Sequence, residues 1–232
     1  MYTLLLRLGA PLQSWGSASL FDTRETDYAP TKSGVVGMLA AALGRKRDAS
    51  LEDLTSIKYG VRIDRQGERV TDFQITDMGE KLNSNLSYRT YLCDAIFLVG
   101  LESDDRGKLE ELEHALNNPV YALFLGRRSC PPGLPLVLGI REKELYDALS
   151  QEDWLVPEWR RRSEFGFSDK IRLRILVEDE KSGTLIKDKP ISFSPYKREY
   201  AYRQIAERKP KTIDKNQTLY STEQNPMEEL RE

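Results

Sequence analysis

The segment from Ser33 to Leu43 is apolar almost all the way round a helix, and this feature constrains the fold more than any other. A helix without a polar face is stable in water only when other elements cover it on every side. Thr31 or Ser33 is suited to cap its N-terminus, and Gly44 is suited to follow its C-terminus. The sequence therefore predicts a buried central helix, closely packed at Gly37, around which the rest of the chain is built.

Apolar runs elsewhere predict the remaining elements of the same domain. Strands are predicted at 2–8, 57–63 and 92–101, with a closing strand drawn from 121–125 and 134–139. A second helix is predicted at 106–116, because its leucines recur at helical spacing. The order strand, helix, strand, strand, helix, strand is that of a ferredoxin-like unit.

Between the second and third predicted strands the chain is too polar to contribute to a core. We expect the excursion over about 70–91 to project from the body as a hairpin. The predicted fold class is therefore α+β, with a ferredoxin-like domain over 1–140 and a smaller C-terminal β-rich extension over 141–211. The segment 212–232 is predicted to be a polar tail.

The charge distribution permits an anion-binding surface without requiring one. Net charge is -2 overall, yet residues 1–120 carry -4, residues 121–213 carry +5 and residues 214–232 carry -3. A basic middle segment is compatible with a nucleic-acid partner. Two cysteines supply neither a zinc site nor a disulfide framework, which suits a reducing cytoplasm, and Cys93 is expected to be a buried core thiol. No apolar run reaches membrane-spanning length.

Catalysis has little support in the residues. His114 is the only histidine, and helical periodicity turns it away from Leu112 and toward solvent. A single histidine provides neither a zinc constellation nor a Ser-His-Asp triad. Metal-free cleavage of RNA by tyrosine and lysine side chains stays open. Neither a metal nor a cofactor is implied.

The start of the apolar helix is the first candidate binding site. Backbone N–H groups at a helix N-terminus attract anions. Lys32 adds a full charge there, Ser33 adds a hydroxyl group, and Gly34 lets a ligand approach the backbone, so together they would hold a phosphate. The same residues also fit an ordinary capped helix inside a core. Their spacing is not that of a P-loop, so nucleotide hydrolysis is not expected.

Further candidates combine positive charge with aromatic rings. Arg127 and Arg128 follow an apolar run, where they would either face a phosphate backbone or lie in a solvated turn. Arg89 is flanked by Tyr88 and Tyr91, which is a combination favoured by single-stranded nucleic acid and also found at polar sheet edges. The same combination recurs C-terminally, at Tyr196 and Arg198.

Four segments resemble, in this order, the signatures of one known family. They read LRLGAPLQSWG over 6–16, PTKSGVVG over 30–37 and on to Gly44, YRTYLCDA over 88–95, and LGRRSCP over 125–131. The family is that of the CasD subunits of type I-E CRISPR Cascade complexes, within the RAMP superfamily. The likeness covers about residues 1–140 and continues beyond them only in outline. Four ordered motifs are far more specific than any one alone.

The resemblance implies a ferredoxin-like RAMP body whose 70–91 excursion is the thumb. It implies a non-catalytic, RNA-binding subunit in antiviral defence that holds the 5′ handle of the CRISPR RNA (crRNA). The expected place is the end of the complex, beside the large subunit and the first backbone subunit, with target DNA met only through the complex. The alternative is a metal-independent endoribonuclease that processes precursor crRNA, as the related type I-C member does.

The residues expected to contact RNA come from these motifs and from the aromatic and basic segments around them. They are Lys32, Ser33, Gly34, Arg89, Tyr91, Arg127 and Arg128, joined by Arg24, Trp15, Tyr196 and Arg198. Trp15 is also a candidate for the core, since it follows a turn. The expected contribution is positioning of the RNA backbone rather than chemistry.

Overall fold

The structure is a computed structural model that describes residues 1–16, 23–76, 85–179 and 181–219. It contains strands and short helices in alternation. In chain order the elements are β1 (Tyr2–Gly9), β2 (Leu12–Gln13), β3 (Thr23–Arg24), α1 (Lys32–Ala42), α2 (Glu52–Thr55), β4 (Lys58–Arg65), β5 (Glu68–Thr76), β6 (Asn85–Cys93), β7 (Ile96–Ser103), α3 (Arg106–Asn117), β8 (Val137–Arg141), α4 (Leu145–Gln151), α5 (Glu158–Phe165), β9 (Lys170–Glu178), β10 (Thr184–Phe193), β11 (Arg198–Asp214) and α6 (Lys215–Leu219).

The main sheet has seven strands in the order β10-β11-β9-β4-β7-β1-β8, and every neighbouring pair is antiparallel. The four strands β4, β7, β1 and β8 with helices α1 and α3 form the ferredoxin-like unit, so the predicted fold class is confirmed. Strands β9 to β11 continue the same sheet beyond β4. Strand β9 thereby covers an edge that would otherwise expose unpaired backbone groups.

Alternating side chains of β1 serve the two faces of this sheet. Leu4 and Leu6 belong to the large core beneath α1 and α3, whereas Leu5 lies in a second core beneath α4. The central helix α1 is buried, as its sequence predicts, with Leu39 fully inaccessible. The Thr31 hydroxyl caps its N-terminus, and Gly44 follows its C-terminus with φ +70°.

The excursion between β4 and β7 is a hairpin. Strands β5 and β6 pair along their whole length, from Glu68 opposite Cys93 to Thr76 opposite Asn85. Strands β2 and β3 flank β6 and complete a second, four-stranded sheet. The predicted hairpin is confirmed in these strands, while residues 77–84 at its end lie outside the described ranges.

Two strand predictions are wrong. The continuous apolar run 92–101 is divided between β6 and β7, because Asp94 adopts φ +54° and turns the chain. The run 121–125 is a loop, since Tyr121 N–H donates to the Ala41 carbonyl and Leu125 N–H donates to the Cys130 carbonyl. Apolar continuity therefore marks burial without a single strand at 92–101. At 121–125 it marks neither a strand nor uniform burial, since Tyr121 is 52% exposed and Leu125 is buried.

The C-terminal region contains more structure than its composition indicates. Helices α4 and α5 have no predicted counterpart, and β11 runs on to Asp214. The first residues of the predicted tail thus lie in a strand and in α6, and residues 220–232 lie outside the described ranges. Helix α4 sits directly on the sheet, where a Cβ on Gly100 would come within 2.6 Å of Leu145.

Cys93 is not the buried core thiol that the sequence predicts; the buried cysteine is Cys130. Cys93 is partly exposed at the end of β6, whereas Cys130 is 1% exposed. Burial raises the pKa of the Cys130 thiol, which further slows its reaction.

We expect a thiol-alkylating reagent to modify Cys93 first in the native protein and to modify Cys130 only on unfolding. Peptide mass spectrometry at successive times measures both rates, with the denatured protein as the control. Equal rates in the native protein would contradict the packing described for the loop around Cys130.

Candidate nucleic-acid interface

The N-terminus of α1 is already occupied by the protein's own side chains. The Lys32 ammonium lies 2.9 Å from both carboxylate oxygens of Glu178 and donates to the Ile57 carbonyl. The Lys32 side chain is 4% exposed. Burial lowers the pKa of Lys32, and the Glu178 carboxylate opposes that shift. The positive charge that the sequence predicts for phosphate binding is therefore neutralised by Glu178 inside the protein.

The backbone of this helix end is closed in the same way. The Lys32 N–H donates to the Asp188 carboxylate at 2.8 Å, and the Gly34 N–H donates to the Thr31 hydroxyl at 3.2 Å. A Cβ on Gly34 would lie 2.8 Å from the indole of Trp15. The space beside Gly34 is therefore filled by the Trp15 ring and is closed to a ligand.

Trp15 belongs to the core. Its side chain is 1% exposed and its indole N–H donates to the Gln13 side chain at 3.1 Å. Ser33 is partly buried and its hydroxyl contacts that of Thr31. A cavity of about 560 Å³ lies beside the helix end. Its lining combines aliphatic side chains of β4, β9 and β11 with the charged side chains of Asp27, Arg174, Lys187, Asp188 and Arg203.

The basic residues at the foot of the hairpin are arranged differently. Strands β3 and β6 run parallel, and their register places Arg24 beside Arg89. Arg24 is exposed and Arg89 is partly buried. Neighbouring residues at the same level of a sheet point to the same side. The two guanidinium groups therefore share one face of the sheet. We call this the arginine face and define it by Arg24, Arg89 and Arg127.

Arg127 is brought onto this face by a tight loop. Gly126 has φ +84°, and a Cβ there would lie 1.5 Å from the Ser14 carbonyl oxygen, so only glycine fits. The Arg127 guanidinium lies 4.6 Å from the ring centroid of Tyr91 and donates to the Arg24 carbonyl at 2.7 Å. Stacking and hydrogen bonding together hold the guanidinium in one orientation.

One acidic residue, Asp72, is directly opposite Arg89 in the hairpin register, but the two form no ion pair. Arg24, Arg89, Arg127 and the exposed Arg128 form no ion pair with any residue in the described ranges. By contrast, Arg69, on the opposite face of the hairpin, is paired with Glu25. Unpaired arginines close together repel one another and favour a polyanionic ligand.

The opposite face of the hairpin carries an apolar patch beside the paired Arg69. Phe73 and Tyr88 are directly opposite in the register and meet edge to face, with ring centroids 5.6 Å apart. Ile75 beside them is 63% exposed. The unpaired arginines and the exposed aromatic pair therefore lie on different faces of the hairpin.

The remaining candidates do not join this group. Tyr196 and Arg198 are exposed at the turn between β10 and β11, whose Phe193 packs near Gly37 of α1. Tyr91 is 4% exposed and serves as the platform for Arg127. The structure therefore brings Arg24, Arg89, Tyr91 and Arg127 together, and leaves the turn residues elsewhere.

Other kinds of site have no support in the described ranges. They contain no group of three or more histidine, cysteine, aspartate or glutamate side chains placed to hold a metal. None of the helices described has the length and apolar character of a membrane span. His114 is exposed on α3, as predicted.

Comparisons with known proteins agree on one family. The sequence model of the CRISPR-associated Cas5 proteins matches residues 3–206. The chain is 38% identical, over 156 residues, to the CRISPR system Cascade subunit CasD of Escherichia coli (strain K12), which covers 59% of this chain and 70% of that one.

Two solved structures share the fold along nearly the whole chain. One, described as the crystal structure of a Cas protein, has 40% sequence identity and a TM-score of 0.68, and covers 90% of this chain and 95% of that chain. The other, from a CRISPR RNA-guided surveillance complex, has 28% identity and a TM-score of 0.74, and covers 94% and 98%.

Replacing Lys32 by methionine is expected to lower the free energy of unfolding by about 3 kcal/mol, because the buried Glu178 carboxylate then loses its nearest cation and keeps only Arg203, 3.6 Å away. Arg174→Met is the control, since its pair with Glu207 is about half exposed and should contribute less than about 1 kcal/mol. Denaturant titration measures both. Equal losses in the two variants would contradict an internal role for Lys32.

Proposed function

We infer the function from one premise: this chain belongs to the CRISPR-associated Cas5 family. We propose that it is a non-catalytic subunit of a type I-E Cascade surveillance complex and that it binds the 5′ handle of the crRNA. The named E. coli relative is a Cascade subunit, and one structural relative comes from an RNA-guided surveillance complex. From these two relatives we infer that this chain joins an assembly of the same class.

The observation that carries the proposal is the arginine face. Three arginines without acidic partners converge where β3, β6 and the 126–130 loop meet. Single-stranded RNA offers a line of phosphates, and guanidinium groups bind such oxygens in bidentate fashion. Exposed Arg128 extends the charge along the same loop. Contacts of this kind fix the position and register of the RNA.

Two of the groups that the endoribonuclease alternative could use near the start of α1 are engaged within the protein. The alternative requires a tyrosine or lysine there to move protons. The Tyr59 hydroxyl is buried and donates to the Pro30 carbonyl, and burial raises its pKa well above the usual value. The Lys32 ammonium is bound to Glu178. Repeat RNA incubated with the protein in EDTA is therefore expected to stay uncut, and accumulating cleavage products would reverse the assignment.

The partners proposed for the subunit are the crRNA, the first backbone subunit and the large subunit, in the cytoplasm. Target DNA is met only through the complex. We assign the body to 1–140, with the thumb at about 70–91, and the C-terminal extension to 141–211. The tail is assigned to 212–232, and its first residues complete β11 and form α6. In this assignment the thumb is the β5–β6 hairpin, which presents the arginine face to RNA.

The wild-type protein, in its assembled complex, is expected to bind repeat-derived 5′-handle RNA more tightly than a scrambled RNA of equal length. Affinity should fall steeply with salt, because phosphate contacts release counterions. The double variant Arg127→Ala, Arg128→Ala should lose about tenfold or more, as expected for charge-assisted hydrogen bonds. Filter binding or fluorescence anisotropy measures these affinities.

The control for that experiment is Arg174→Ala, which removes an exposed arginine that is paired with Glu207 on the C-terminal strands. It should leave RNA affinity within about twofold of wild type. Equal affinity for handle and scrambled RNA would count against handle recognition. Unchanged affinity in the Arg127, Arg128 variant would indicate a subunit that acts as a scaffold only.

A further inference from the structure

The hairpin joins the main sheet through two short links that lie side by side, and we call them together the hairpin joint. Residues 66–67 link β4 to β5, and residues 94–95 link β6 to β7. Gly67 has φ +71° and Asp94 has φ +54°, so both links bend through the left-handed region. A Cβ on Gly67 would lie 2.5 Å from the Cys93 carbonyl oxygen. The joint therefore sets the orientation of the hairpin relative to the main sheet.

Helix α5 of the C-terminal extension binds this joint through a ring of four side chains. Nη1 of Arg160 donates to the Asp94 carboxylate at 3.0 Å. Arg65, the last residue of β4, donates from Nη1 to the Asp94 carbonyl and from Nε to the Glu164 carboxylate, both at 2.6 Å. Nε of Arg160 donates to the same carboxylate at 3.3 Å, which closes the ring. We call this ring the α5 latch: Arg65, Asp94, Arg160 and Glu164.

Helix α5 is fixed to the main sheet by contacts outside the latch. Phe165 is 2% exposed and belongs to the core cluster that contains Ile96, the first residue of β7. Its ring meets that of Trp154 edge to face, with centroids 5.7 Å apart. The N-terminal segment also reaches the joint, since the Asp94 N–H donates to the Pro11 carbonyl at 3.0 Å. The helix thus gives the joint a support that is packed against the core.

The exposure of the latch suits it to orientation more than to global stability. Its side chains range from 12% exposed at Arg65 to 43% at Asp94. Ion pairs at such positions contribute little to the free energy of unfolding, because water screens them. Four groups that bind one another in a ring nevertheless restrict the directions in which the joint can bend. A binding element that is held in place before its ligand arrives loses less entropy on binding.

We propose that Arg160 and Glu164 of α5 are positioning residues that act through Asp94 and Arg65 to hold the hairpin in its RNA-binding orientation. The inference rests on the proposed function and goes beyond it, because it gives the C-terminal extension a role in RNA binding without any contact to RNA. Loss of the latch leaves the arginine face chemically intact. Its arginines then have to be brought into place as the RNA binds, and the affinity falls.

Hydrogen exchange of the full chain without RNA tests the latch by itself. In Arg160→Met, peptides that contain Asp94 should exchange faster, by up to about fivefold, which is the range of a partly exposed ion pair. Peptides from β1 and β7 should exchange as in the wild type, because the main sheet keeps its contacts. Faster exchange in all peptides would indicate a general loss of stability instead. That result, or unchanged exchange at Asp94, overturns the proposal.

Asp94→Asn gives the sharpest result with RNA, because two explanations predict opposite signs. The variant removes a negative charge, so long-range electrostatics alone predicts tighter binding of RNA. Asparagine keeps the shape of the side chain and tolerates the positive φ, but it loses the ion pair with Arg160. The latch therefore predicts that handle RNA binds the assembled complex about threefold more weakly. Fluorescence anisotropy measures this affinity, and unchanged or tighter binding overturns the proposal.

The salt dependence of binding distinguishes a positioning residue from a direct RNA contact. Arg160→Met should weaken binding of handle RNA with the same slope of affinity against salt as the wild type, whereas loss of one phosphate contact would reduce the slope by about 0.7. The double variant Asp94→Asn, Arg160→Met should bind no more weakly than Arg160→Met, since the two residues act as one unit. A reduced slope or additive losses would contradict the latch.

The control is Glu110→Gln, which removes one negative charge from an exposed pair with Arg106 on α3. It should leave exchange at Asp94 unchanged and RNA affinity within about twofold of wild type. If exchange at Asp94 rises as expected but handle and scrambled RNA bind equally, the latch stands and handle recognition fails. If handle RNA is preferred but exchange at Asp94 does not change, the latch alone fails.

Discussion

The buried charge cluster at the start of α1 is the interaction on which the rest of the structure depends. Lys32, Glu178, Asp188 and Arg203 come from the central helix and from β9, β10 and β11, and their side chains are 15% exposed or less. Buried charges are tolerated only when each is paired and hydrogen bonded. The helix and the C-terminal strands, which extend the main sheet past β4, therefore depend on each other for the burial of these charges.

That use of the helix end determines where a polyanion can bind. With Asp188 on the helix N-terminus and Trp15 against Gly34, the start of α1 presents neither an unused charge nor open backbone. The unpaired arginines lie instead at the base of the hairpin. This base is tied to the body by Gln13, whose amide donates to the Ala95 carbonyl at 2.7 Å, and by Ser14, whose hydroxyl donates to the Thr90 carbonyl. The arginine face thus rests on a fixed support, which suits a positioning role.

Much of the fold follows from the sequence because its signals are local. The helix α1 is predicted by an apolar segment with a cap at each end, and the ferredoxin-like order follows from the periodicity of the runs around it. The turn at Asp94 and the loop at 121–125 are missed, because an apolar run alone does not distinguish a strand from a turn or a loop.

The candidate site is predicted only in part, for a related reason. The sequence flags Arg89 and Arg127 by their aromatic and basic neighbours, and the structure brings them together. The sequence also suggests Lys32 as a phosphate ligand. That suggestion fails because Lys32 binds Glu178, which is 146 residues away and cannot be found from a local pattern.

The most direct measurement of the central claim is the structure of the assembled complex with its crRNA. The handle backbone should cross the arginine face, with phosphate oxygens about 3 Å from Arg89 and Arg127. Lys32 should stay bound to Glu178, as it is without RNA. A backbone that runs to the start of α1 and displaces Asp188, or one that lies on the Phe73 and Tyr88 face, would contradict the account.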